Sequence, residues 1–449
     1  MDLDPRVVES NVELPDQMVV NGSDLGSGLH IRYGVTDAQM QAVLEIQGHV
    51  DEKRLTRAMR LSTIAEPILG CRFVKSSVRP VWQRRADLDS IEWCSVQVIG
   101  NKEEAIDLWL SRPLDLDFDP LVKACILRSS ANDTLCIKIH HACCDGVAFS
   151  QYVSLLASIY NELSRDPAYR PQPNPADRDQ SRMFLELGLI SPSFRAPESY
   201  MAPFIQFLES CAAVIPFTPT EPKRRRQVIR RVPQWRDRFY SYKQRGITIN
   251  DILLAAYWQA LSQYVDSTTP EALKIAVAAD LRPYLPADRT RTICNCFSEV
   301  YFHLNQKPNE RLRDLVDEVS AVMKQFKTNK LGLQNITTFF EVMVRTPFDT
   351  LEKWYFDRKK IFLEYGKGFV RFTNIGLISK DKIYFDNLEV YDAYMVGQAL
   401  SAPDFMLGVC TYQDWMTLSC AFFEPTIEAG WVERLLDSVV EALHSYREE

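Results

Sequence analysis

The chain of 449 residues is 46% hydrophobic and 25% charged, the profile of a globular rather than a disordered or fibrous protein, and its length predicts two lobes with a core each. A formal net charge of −7 excludes an affinity built on phosphate neutralisation, so no nucleic-acid partner is expected. Eleven scattered cysteines without Cys-x-x-Cys spacing exclude a secreted disulfide framework and a structural zinc site; with the acidic start MDLDPRVVES and no bilayer-length apolar segment, they point to a cytoplasmic protein.

In chain order, LHIRYGV (29–35) and AVLEIQG (42–48) read as β-like runs. DEKRLTRAMRLSTIAE (51–66) follows as a helix with Asp51 at its N-cap and Leu55, Met59, Leu61 and Ile64 near one face. Leu135–Ile139 reads as a strand with Lys138 as its one charge, Asp145-Gly146 as a turn, and 147–163 as a helix. Four prolines in 165–178 mark a surface connection, closing the first lobe near residue 180.

FIQFLESCAAVIPF (204–217), interrupted by Gln206, Glu209 and Ser210, reads as a buried or partly buried helix rather than a membrane contact. The basic run EPKRRRQVIRR (221–231) is expected to be a solvated inter-lobe segment, with anion binding as its functional rival. The second lobe opens on a helix at 244–261 capped by Thr248 or Asn250. Strand-like runs follow at 273–280, 298–305, 369–378 and 414–423, with a closing helix around 427–446. The expected division is 1–180, a connection over 181–232, and 233–449.

The stretch HHACCDG (140–146) carries the chemistry. Side chains alternate along a strand, so only one of His140 and His141 can face a given cavity. Histidine titrates nearest neutrality, and loops at strand ends hold catalytic groups on a rigid scaffold. Three rival readings stay open on residues alone: Cys143 or Cys144 as a thiolate paired with His141, a His-His-Asp metal site, and Asp280 as a second acid. His30, His49, His303 and His444 are read as ordinary surface or core histidines.

HHACCDG resembles the HHxxxDG motif of the chloramphenicol-acetyltransferase-like superfamily, which includes nonribosomal-peptide condensation domains, polyketide-associated acyltransferases, wax-ester synthases and, with HxxxD, the plant BAHD enzymes. RPLDLDFDPLVKACILR (112–128), GITINDILLAA, AVAADLRPYLP and TNIG (373–376) resemble further family segments in family order. The plant DFGWG motif is missing, GVCTYQDW standing in its place, which disfavours that branch. The resemblance implies a mixed α/β fold of two chloramphenicol-acetyltransferase-like lobes with an active-site tunnel at their junction. It implies His141 as the general base, His140 as a packing residue, Asp145 paired with Arg282 across the lobes, and Gly146 allowing close backbone approach; Thr373 and Asn374 become candidates for the oxyanion or the acceptor.

The activity implied is acyl transfer from coenzyme A or a carrier-protein thioester to an alcohol or amine. A free-standing condensation enzyme forming an amide, and a catalytically idle recruiting module, are the alternatives. No permanently bound cofactor and no metal are expected, since acyl-CoA or a phosphopantetheine-linked acyl group would be a substrate. LLDSVVEAL (435–443) lacks the features of a carrier serine, so an acyl or peptidyl carrier protein would act in trans. The protein is expected to be a monomer.

Overall fold

Residues 13–75, 79–176, 178–186, 188, 201–235, 245–265, 272–285, 291–305, 311–329 and 332–446 are described by the computed structural model. The start MDLDPRVVES lies outside the described residues. The first half holds β1 (Gln17–Val19), α1 (Gly22–Arg32), β2 (Gln39–Gln47), α2 (Glu52–Ala65), β3 (Cys71–Val74), β4 (Val81–Arg84), β5 (Cys94–Val98), α3 (Lys102–Ser111), β6 (Val122–Arg128), β7 (Asn132–His140) and α4 (Gly146–Arg165). The second half continues with α5 (Gln180–Glu186), α6 (Met201–Glu209), β8 (Arg224–Pro233), α7 (Ile249–Ser262), β9 (Ile275–Asp280), β10 (Phe297–Phe302), α8 (Leu312–Thr328), α9 (Leu333–Arg345), α10 (Phe348–Tyr365), β11 (Val370–Ile378), β12 (Val390–Val396), β13 (Phe405–Tyr412), β14 (Trp415–Glu424) and α11 (Ala429–Ser445).

The first lobe is built on a five-stranded sheet ordered β12-β2-β7-β6-β5 and the second on a six-stranded sheet ordered β10-β9-β11-β13-β14-β8. A small sheet, β1-β4-β3, accompanies the first lobe. Strand β12 belongs to the second half yet pairs antiparallel with β2, Tyr394 opposite Val43 and Ala393 opposite Leu44. The second half therefore supplies an edge of the first lobe's sheet, and the two lobes interlock.

Amphipathic helices close both cores. On one side, Leu55 and Met59 of α2 and Val153 and Leu156 of α4 bury against Leu44, Ile126 and Ile137 of the sheet. In the second lobe, Ile252, Leu315 and Leu435 of α7, α8 and α11 cover Phe372, Leu407 and Leu418. Each such side chain contributes about 1.5–3 kcal/mol by leaving water. Both expected caps form: Asp51 accepts from Arg54 N at 3.0 Å, and Thr248, not Asn250, caps α7 in a reciprocal pair with Asp251.

Three expectations are corrected. LHIRYGV begins not as a strand but as the last turn of α1, whose Ser23, Gly26, Ser27 and His30 fall at helical spacing on one wall of a cavity. Two interior glycines lower helix propensity there, but packing overrides it: a Cβ at Gly26 would lie 2.8 Å from the Phe339 ring. The basic run 221–231 largely forms β8, an edge strand on β14. Its arginines are paired with acidic side chains, Arg225 with Asp37 in a buried pair at 2.6 Å, and nearer the surface Arg224 with Asp107 at 2.6 Å, Arg230 with Asp437 at 2.6 Å and Arg231 with Asp392 at 2.7 Å. The apolar run 204–217 is helical only to Glu209; beyond it Cys211 bridges Ala272 and Val214 and Ile215 are buried in extended chain. Among the described residues no helix is long and apolar enough to cross a membrane.

Candidate active site at the junction of the lobes

β7 is central in its sheet, with almost every side chain buried, and even the ammonium of Lys138 is covered. Its Nζ donates to Trp109 O at 2.6 Å and to Arg112 O, and lies 4.3 Å from the Trp109 ring centroid. Burial still pushes its pKa down to about 7. The strand ends at His140, and the five residues His141–Asp145 lead into α4.

His140 is buried, accepts from Ala142 N at its Nδ1 (3.2 Å), and is pushed down to about 3 by burial, so it stays neutral. His141 instead faces a cavity of about 560 Å³ between the lobes. Its main-chain N–H donates to the carbonyl of Ala38 at 2.7 Å, a residue held at φ 42°, and its ring lies 5.7 Å from that of Phe297. Its Nδ1 atom is buried without a hydrogen-bond partner.

Asp145 has three donors. Its Oδ1 accepts from Ala148 N at 2.9 Å and so caps α4, while Oδ2 accepts from Cys296 N at 2.6 Å and from Arg282 Nη1 at 2.9 Å. Arg282 is buried, and its Nη2 donates to Cys294 O at 3.1 Å. Burial opposes its charge, but Asp145 beside it more than offsets that, so its pKa is raised. Asp280 also accepts from Arg282 Nη1 at 3.1 Å, which makes it a helper in this network. Gly146 meets the second lobe closely, since a Cβ there would lie 3.1 Å from Ile375 Cγ1. Ile375 sits at a bulge in β11 made by Asn374 and Gly376, the latter at φ 87°.

Two residues that pattern reading passed over hold the loop carbonyls. Asn295, fully buried, shares its amide hydrogens among His141 O at 3.0 Å, Ala142 O at 3.1 Å and Asp24 Oδ1 at 3.0 Å. Arg178 donates to Cys143 O at 2.9 Å and to Ile293 O at 2.7 Å. It ends the proline-rich stretch expected to be surface connection, but is itself buried. Neither carries a periodicity or motif that would have exposed it.

The remaining candidates divide. Thr373 lines the cavity. Asn374 does too, but its amide is engaged, donating to Asn250 Oδ1 at 2.6 Å and accepting from Gly376 N at 2.9 Å. The thiolate reading of the cysteines fails: Cys143 Sγ is buried and donates to His140 O at 3.1 Å, and burial pushes the Cys144 thiol well above its usual range. Among the described residues no group of three or more potential metal ligands comes together. His30, read as ordinary, lines the same cavity as His141.

Residues 36–179 match the Condensation domain family model. Nonribosomal peptide synthetase dtpA of Aspergillus flavus is 26% identical over 132 residues, 29% of this chain and only 5% of that protein. Wax ester synthase/diacylglycerol acyltransferase 1 of Arabidopsis thaliana is 23% identical over 423 residues, covering 82% of each chain. Among solved structures, TRI3 trichothecene 15-O-acetyltransferase from Fusarium sporotrichioides superposes with a TM-score of 0.73 at 14% identity, covering 96% of each chain. The chain thus shares the two-lobed mixed α/β fold of this acetyltransferase structure, and its residues 36–179 match the condensation-domain family.

Proposed function

We propose that this protein transfers an acyl group from a thioester, carried by coenzyme A or a phosphopantetheine arm, to an alcohol or amine. The observation that carries the reading is the imidazole of His141 set on the wall of an inter-lobe cavity, on a loop clamped by Asp145–Arg282, Asn295 and Arg178.

In the proposed reaction His141 Nε2 takes the proton of the acceptor O–H or N–H as that atom attacks the thioester carbonyl. The C–S bond then breaks, and the thiolate leaves with the proton returned by the imidazolium. A thiol pKa near about 8.5 makes this leaving group undemanding, so one base suffices and no covalent enzyme intermediate is needed. Thr373 is the cavity-lining candidate for steadying the oxyanion. Similarity to the wax ester synthase over most of the chain favours an ester product. The condensation-domain match favours the second reading, amide formation between carrier-bound partners in trans.

The test is thiol release from a panel of acyl-CoAs and acyl-carrier proteins, with alcohols and amines as acceptors. Acceptor-dependent release that is lost in His141→Ala supports the reading; wild type inactive with every donor, or full activity in the variant, defeats it.

A further inference from the structure

The cavity that holds His141 contains a second imidazole, His30, in a polar cluster surrounded by aromatic rings. Arg358 Nη1 lies 2.6 Å from His30 Nε2. A guanidinium can only donate, so Nε2 must carry the lone pair. In a neutral ring the proton is then on Nδ1, which has no hydrogen-bond partner among the described residues and is not one of the buried unpartnered atoms. Burial, with Arg358 next to it, lowers the pKa of His30 well below the usual imidazole value and keeps the ring neutral.

Arg358 is itself restrained. Its guanidinium lies 5.4, 4.8 and 5.7 Å from the ring centroids of Phe204, Phe362 and Phe369, and its Nη2 is 3.6 Å from Asp404. Arg371 binds the same Asp404 at 2.9 Å and Glu299 at 3.0 Å. Two guanidinium charges thus meet two carboxylates, which leaves no net positive charge to draw an anion. On α1, His30 follows Ser23, Gly26 and Ser27 along the cavity wall as its one large side chain, so space opens beside it.

We infer that His30, held by Arg358, is a fixed hydrogen-bond donor that recognises a neutral oxygen, carbonyl, ether or hydroxyl, on an otherwise apolar substrate. The two histidines divide the work: His141 offers a lone pair to a proton, and His30 offers a proton to a lone pair. This deepens the reading of the cavity as the substrate site and rests on it, but its test is binding, which does not depend on transfer taking place.

Equilibrium dialysis against 9-fluorenone and its hydrocarbon, fluorene, isolates the oxygen. Wild type should hold the ketone roughly fivefold to tenfold more tightly, the size of one neutral hydrogen bond. His30→Leu should bind the two equally, and His30→Gln, which keeps a donor, should retain part of the preference. Equal binding by wild type, no saturable binding of either probe, or a preference that survives His30→Leu overturns the inference. Tighter binding of 9-fluorenecarboxylate than of the ketone overturns it in favour of an anion site. Should His30→Leu fail to fold, long-range ¹H–¹⁵N spectra of wild type and Arg358→Met decide instead. The expected result is protonated Nδ1 at His30 in wild type and a mixture of tautomers in the variant; protonated Nε2 in wild type is contrary to it.

Discussion

Asp145 Oδ2 and Arg282 Nη1 meet at 2.9 Å although 137 residues separate them, and this contact joins the first turn of α4 to the β9–β10 region of the other lobe. Both groups are nearly free of solvent. Removing one leaves the other charged and buried, so Asp145→Ala should lower unfolding free energy by about 3–5 kcal/mol. Adding Arg282→Met should recover much of that loss. Urea denaturation of the two single variants and the double variant checks it: additive losses would mean that the pair is not coupled.

His141 contributes little to packing, because its ring borders a cavity. His141→Ala should therefore cut turnover by about 10²–10⁴-fold, the usual worth of a general base, with a stability change under about 1 kcal/mol. Thiol-release kinetics and a thermal melt on the same sample separate the two effects.

All eleven cysteines are buried. Ellman's reagent should label the native protein slowly and all eleven thiols rapidly in denaturant. Cys143→Ala should retain acyl transfer within a few-fold, whereas a nucleophilic role would abolish it.

Burial raises the carboxyl of Glu66 from 4.5 to about 7, with Asn174 donating to its Oε1 at 2.7 Å. A folded pKa above the unfolded one favours the protonated form, so its contribution to stability is full below about pH 4.5 and is lost as pH rises through about 7. Glu66→Gln keeps the acceptor oxygen without the charge. At pH 8 it should be more stable than wild type by on the order of 1–3 kcal/mol, and the gap should close toward pH 4.5. Unfolding curves across that range read it directly.

Much of the site was legible in the linear chain because it is local. The strand–turn–helix around HHACCDG needs only alternation up to His140, a capping carboxylate at Asp145 and a helical period after it, and each is encoded within about 30 residues. The caps Asp51 and Thr248 were readable for the same reason. Where neighbours in space dictate structure, local reading failed. Leu29–Arg32 alternates like a strand but is helical, because α1 packs its glycines against Phe339 and Phe340. The basic run looked solvated because its acidic partners, Asp107, Asp37, Asp437 and Asp392, come from four other segments.

By itself, then, the order of residues determined most of the secondary-structure periods and the helix caps, and it singled out His141 as a candidate, since these depend on spacing along one segment. Only tertiary structure decided that β12 crosses to the first sheet, that Asn295 and Arg178 hold the carbonyls of the loop after β7, and that His30 shares a cavity with His141. Satisfying a buried carbonyl or charge requires a partner within about 3 Å in space, and chain order places no limit on where that partner comes from.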